Sequence, residues 1–292
     1  MFIIKNKKIF VTISAVLVSL SIISMIVFGL NLGIDFKGGS LLEVEYTNSR
    51  PEQNIIEETI KPLSIGETLV QPMGEMGYSI KTRDITEQER AKIMQSLGSN
   101  AVEKSFTSIG PSVGAELVRK SLISFILVSL GIIFWIAFSF RKVSKPVSSW
   151  KYGFIAIVSL IHDIIIPVGV FSILSHFSGV EVDTLFVVAV LTILGLSVSD
   201  TIVVFDRIRE NIRVGHFKTF EETVGRSINQ VYVRSIATSS TVIIALLALV
   251  FFGPASTRVF AIMLTAGMFF GTYSSIFLAS PLLVYVENWQ KK

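Results

Sequence analysis

Apolar residues along the chain gather into six long runs, Ile9–Leu30, Ser121–Phe140, Tyr152–His176, Asp183–Phe205, Val233–Phe252 and Val259–Val286. A bilayer core of about 30 Å takes about 20 apolar residues in a helix, so each run predicts a membrane-spanning helix. Between the first two runs the pattern changes. "SLLEVEYT" alternates as a strand does, and "SRPEQNIIEETIKPL" opens a helix with Ser49 and Glu52 at capping-box spacing and Pro51 in its first turn. Thr68–Gln71 and Tyr78–Thr82 read as strands joined through Gly74 and Gly77. "TEQERAKIMQSL" repeats the capping-box spacing at Thr86 and Glu89, and "AVEKSFTSI" alternates again. The order βαββαβ predicts a ferredoxin-like α+β domain. The expected organisation is 1–30 for the N-terminus and first span, 31–120 for the sheet domain, and 121–292 for five further spans with their loops.

Composition agrees, with 51% hydrophobic and 16% charged residues, values outside the soluble range. The absence of cysteine excludes disulfides and thiolate metal sites. Basic residues cluster at Lys5, Lys7 and Lys8; at Arg141, Lys142, Lys145 and Lys151; at Arg207, Arg209, Arg213, Lys218 and Arg226; and at Lys291 and Lys292. All fall on one side of the membrane if both termini are cytoplasmic, which places 31–120 outside. That rule accounts for the net charge of +4 with no nucleic-acid partner. The first run is too long for a signal peptide and no A-x-A-like site follows it, so it is expected to be a retained anchor.

"GIDFKGGS" groups Gly33, Gly38 and Gly39 but lacks the Lys-Ser/Thr pair and following helix of a phosphate loop. It predicts a turn from membrane helix to sheet, with Asp35 capping exposed amides.

Charges inside the apolar runs are the candidate chemistry, since each is costly there and calls for a partner or a watery cavity. Asp200 lies six residues before Asp206, which is about 9 Å inward along a helix. Ser197 and Arg207 share its helical stripe. If the fifth span starts near Val233, Arg234 lies at similar depth, with Thr238 and Thr241 on its face. The two opposite charges are expected to pair, either as a working relay or as a device that fixes helix register. His162 and Asp163 lie near the middle of the third span, as a second relay station or a packing contact with the fourth. Pro167 lacks the N–H that would bond the Asp163 carbonyl. His176 and His216 fall at or beyond helix ends, where water reaches them. Gly267, Gly271 and Ser275 form a small-residue stripe that admits a close neighbour, from this chain or from a partner subunit. "RIRENIRVGHFKTFEETVGRSINQ" reads as an amphipathic cytoplasmic helix, suited to membrane lipid or a partner.

The strings "GIDFKGGSLLEVEY", "SIGPSVGAEL", "LIHDI", "DTIVVFDRIREN" and "INQVYVRSIATSSTV" resemble the SecF family in order, spacing and topology, nearly end to end. The sequence departs from the usual family pattern at Lys37, at Leu196 and Ser199, and at Val231, Tyr232 and Val233. The resemblance implies a bacterial inner-membrane subunit, half of an RND-like membrane fold. Its implied partner is SecD, and the pair would help the SecYEG channel draw unfolded preproteins outward after SecA. The driving force would be a flow of H⁺ or Na⁺, with no cofactor and no bond-making chemistry, and Asp200 and Arg234 match the family's proton-relay residues. Two other functions compete: a half-size RND-like small-molecule exporter subunit, which the small sheet domain disfavours, and a passive translocon scaffold.

Overall fold

The structure, a computed structural model, describes residues 2–139, 148–215 and 217–290. Arg141, Lys142, Lys145, His216, Lys291 and Lys292 lie outside the described residues.

Elements follow the hydrophobic pattern. α1 (Phe2–Lys5) and α2 (Lys7–Phe28) precede α3 (Ile34–Lys37), β1 (Gly39–Tyr46), α4 (Gln53–Ile60), β2 (Leu69–Met73), β3 (Gly77–Thr82), α5 (Glu87–Leu97) and β4 (Ala101–Ile109). Long helices take the rest: α6 (Pro111–Ser139), α7 (Ser149–Ser178), α8 (Thr184–Val214), α9 (Phe220–Phe252) and α10 (Ala255–Ser274), the last running through a π-helical turn (Ser275–Ala279) into α11 (Ser280–Gln290). Among the described residues, six helices are long and apolar enough to cross a membrane. Two compact units result, Leu32–Ile123 and the remainder.

In the first unit the strand order is β2-β3-β1-β4, antiparallel throughout, which is the ferredoxin-like arrangement. Alternation along β1 and β3 sends Leu42, Val44, Tyr78 and Ile80 into a core shared with Ile56 and Ile60 of α4 and Ile93 of α5. The capping box at Thr86 forms as the spacing predicts, with both reciprocal bonds to Glu89. The one expected at Ser49 does not. Pro51 disfavours helix for Arg50 before it, and the Pro51 carbonyl accepts a 2.6 Å bond from the Tyr78 hydroxyl. Helix α4 therefore starts later, with Glu52 extended at its N-cap and no side-chain cap.

Glu89 also receives Arg83 at 2.5 Å, and this bond, followed by the Thr86 amide, holds its carboxyl down to about 2. A carboxyl lowered by folding stabilises above its ordinary value near 4.5 and loses that contribution as pH falls towards 2. Melting of the solubilised protein between pH 5 and pH 2 is expected to fall more steeply for wild type than for Glu89→Gln; parallel curves would remove Glu89 from the acid response.

The turn before β1 requires its glycines. Gly38 has φ +78° and a methyl there would lie 2.9 Å from Pro111 Cα; Gly39 has φ +131° and would meet the Thr82 carbonyl at 2.7 Å. Gly33 is the N-cap of α3, and Asp35 lies in its first turn.

In the membrane unit the expected amphipathic cytoplasmic helix is instead the ends of two long helices. Gly215, left-handed at φ 69°, stops α8, and the Thr219 side chain caps α9 through the Glu222 amide at 3.1 Å. Buried Phe205, Ile208, Val224 and Ile228 pack this hairpin.

Candidate functional site

The α8–α9 hairpin fixes which residues meet in the apolar region. Asn211 donates to Ser227 Oγ at 2.7 Å, Arg207 Nε to Gln230 Oε1 at 2.7 Å, and Ser239 Oγ to Asp200 Oδ2 at 3.3 Å. Numbers fall on α8 as they rise on α9, so Asp200 stands opposite Ser239. By the same register Arg234 is level with Val204, four residues or about 6 Å nearer the hairpin turn than Asp200.

Asp200 is held by hydroxyls. Its Oδ2 accepts from Thr272 of α10 at 3.0 Å as well as from Ser239, and those two hydroxyls lie 2.5 Å apart. The expected pair with Arg234 is not formed. Besides its offset along the axis, Arg234 lies off the inward face of α9, which carries Val231, Ser235 and Ser239, and its side chain is exposed.

His162 and Asp163 form a second, deeper group, 2% and 0% exposed. Asp163 Oδ1 meets His162 Nδ1 at 2.8 Å, and Oδ2 accepts from Ser197 of α8 and, at 2.7 Å, from Ser274 of α10. The contact with the fourth span thus exists, through Ser197. The His162 ring stacks on Tyr273 at 6.1 Å. The same two helices therefore supply both carboxyls: α8 carries Ser197 and Asp200 three residues apart, and α10 carries Thr272 and Ser274. A π turn begins directly after, an irregularity frequent at functional sites. His176, exposed in the last turn of α7, lies tilted against the Phe28 ring at 4.7 Å between centroids.

Small residues set the spacing of these helices. A methyl on Gly267 would lie 2.2 Å from Ile193 and one on Gly271 3.2 Å from Ser197, so the stripe faces α8 of the same chain. Ser275, also buried, turns its hydroxyl back onto the Gly271 carbonyl at 3.1 Å. Among the described residues no group of three or more His, Asp or Glu is placed to hold a metal ion.

Residues 89–289 match the family described as "Protein export membrane protein SecD/SecF, C-terminal", and residues 23–49 match "SecD/SecF GG Motif". The chain belongs to the SecD/SecF family. It is 42% identical to the protein translocase subunit SecF of Thermobaculum terrenum, over 96% of this chain and 92% of that one. The SecF of Anaerolinea thermophila is 37% identical over 98% of this chain and 96% of its own. The crystal structure of SecDF, a translocon-associated membrane protein from Thermus thermophilus, matches with a TM-score of 0.84 at 29% identity. That match covers 99% of this chain and 38% of the SecDF chain.

Within this SecD/SecF chain, Gly33, Asp35, Gly38 and Gly39 fall in the GG-motif match, while His162, Asp163, Asp200 and Arg234 fall in the C-terminal one. Ser239, Thr272 and Ser274, the partners of the two carboxyls, are absent from the candidates drawn from sequence. Their signal is present as runs of hydroxyl residues inside apolar spans, "ATSST" and "GTYSS". A carboxyl in such a span requires donors, and these runs are where a single chain can supply them.

Proposed function

We propose that this chain is the SecF-type subunit of a SecD–SecF auxiliary of the Sec translocon, which uses the proton-motive force to assist preprotein movement across the bacterial inner membrane. It is a non-enzymatic motor part. SecD supplies the remaining membrane half, a reading supported by the 38% share of the SecDF chain that this one covers. SecYEG provides the channel, SecA acts upstream, and unfolded preproteins are the cargo. The basic residues favour cytoplasmic termini and an external sheet domain.

The observation that carries the proposal is Asp200, an intramembrane carboxyl held by Ser239 and Thr272 and, among the described residues, by no cation. A hydroxyl donates to a carboxylate and accepts from a carboxylic acid, so this pair serves both protonation states by rotating O–H bonds. Arg234 stands one turn away along the hairpin. A one-turn slide of α9 past α8, with a rotation that turns Arg234 inward, would bring it to Asp200, and helix shifts and rotations occur in switching proteins. Arg234 would then favour loss of the Asp200 proton, and the return slide its recapture.

The test uses membranes from a strain lacking its own SecF and supplied with this chain. SecD is expected to co-purify, and preprotein release to be stimulated by a proton gradient and abolished by a protonophore. Stimulation by a sodium gradient alone would reassign the ion. Release equal with and without any gradient would overturn the motor reading in favour of a scaffold.

A further inference from the structure

We propose that His162 and Asp163 form a second proton-holding site, in series with Asp200, which receives its proton at His162 Nε2. This rests on the proton-driven function above. Three buried polar atoms of the membrane unit point to it: among the described residues, Ser14 Oγ, Ser159 Oγ and His162 Nε2 each have no hydrogen-bond partner. A buried polar group without a partner is costly, so three near one another mark a place where water or a mobile proton is accommodated.

Their proximity follows from helix register. Helices α2 and α7 run parallel, since Ser24 bonds the Gly169 carbonyl, Ser172 bonds the Gly29 carbonyl and the Asn31 amide bonds Ser175. Ser21 abuts Gly169, where a methyl would lie 2.4 Å from its Cβ. Seven residues, about two turns, lead from Ser21 back to Ser14 and from Gly169 back to His162. Ser14 is therefore level with His162, and Ser159 is one turn from His162 on α7.

The step conserves atoms and charge. With Asp163 ionised, His162 is neutral and its Nδ1–H donates to Oδ1 over 2.8 Å. A proton arriving at Nε2 makes imidazolium. The Nδ1 proton then crosses to Oδ1, leaving neutral imidazole protonated at Nε2 and a neutral carboxylic acid. Oδ2 keeps Ser197 and Ser274 throughout, and Ser274 has the Gly271 carbonyl as an alternative acceptor at 3.0 Å. Ser197 lies three residues from Asp200 and Ser274 two from Thr272, so adjustment at one carboxyl displaces the helices that hold the other.

Few other charges act on the pair. Helix α7 packs against α2, α8, α10, α11 and the π turn. Helix α8 contributes Asp200, α10 contributes the Tyr273 ring, and α2 carries no charged residue from Ile9 to Phe28. Tyr285 and Glu287 of α11 lie about three turns beyond Ser274, and Lys151 and His176 lie at the two ends of α7.

The test reads the imidazole itself in the SecD-bound complex, by solid-state nitrogen NMR of histidine-labelled chain carrying His176→Gln and His216→Gln, which leave His162 alone. His162 is expected to change tautomer or charge between pH 5 and pH 9. Asp163→Asn is expected to assemble with SecD and lose gradient-stimulated release; if it does not accumulate, Ser274→Ala takes its place. An unchanging His162 spectrum, or wild-type stimulation in Asp163→Asn beside loss in Asp200→Asn, overturns the second site and leaves the proposed function standing. Wild-type stimulation in both variants overturns the function itself.

Discussion

Removing both hydroxyls from Asp200, with Thr272→Val and Ser239→Ala together, is expected to cost the membrane unit about 2.5–3.5 kcal/mol, the insertion penalty of an aspartate near the centre of a membrane helix. The single variants are expected to cost less and to differ. Ser239→Ala leaves Thr272 donating to Oδ2 at 3.0 Å, whereas Thr272→Val leaves only the longer Ser239 contact at 3.3 Å. Adding Asp200→Leu to the double variant is expected to restore abundance, because no polar group then remains without a partner. Thermal melting and SecD co-purification measure the series. A double variant as stable as wild type would mean that Asp200 finds other donors.

Gly169→Leu is expected to be comparably damaging, by about 3 kcal/mol or more, the upper range for overpacking a close contact. Even a methyl at Gly169 would meet Ser21 Cα at 2.7 Å, a backbone atom that cannot swing aside. The displaced α2 would also lose the Ser24 bond to the Gly169 carbonyl and the Ser172 bond to Gly29. Reduced membrane abundance with partial recovery in Gly169→Ala is the expected pattern. Normal abundance of the leucine variant would contradict the packing.

The six spans were legible in the sequence because a bilayer allows one backbone solution for each long apolar run. The sheet domain was legible because strands and helices there have one wet and one dry face, as in β1, where Leu42, Val44 and Tyr46 point inward. The Ser49 capping box was misread because spacing alone omits the tertiary bond from Tyr78 that holds Pro51 extended. The α8–α9 hairpin was misread because polar residues such as Asn211 and Ser227, which look solvent-facing in sequence, bond each other inside it.

Asp200 and Asp163 stood out since a charge in an apolar run is conspicuous. Ser239, Thr272 and Ser274 did not, because Ser and Thr are cheap in membrane helices and signal nothing singly. Arg234 was placed level with Asp200 by equating depth with distance from a span end. Helix α9 starts at Phe220, well before its apolar run, so the hairpin register, set by Asn211, Arg207 and Gln230, decides the level instead.

The most direct measurement is preprotein release by Asp200→Asn membranes with and without a proton gradient, in a strain lacking its own SecF. Asparagine keeps the size of the side chain and its bonds to Ser239 and Thr272, yet carries no titrating proton. The variant is expected to accumulate and bind SecD like wild type while its release falls to the level seen without a gradient. Release that still rises with the gradient as in wild type would contradict the assignment of the coupling proton to Asp200.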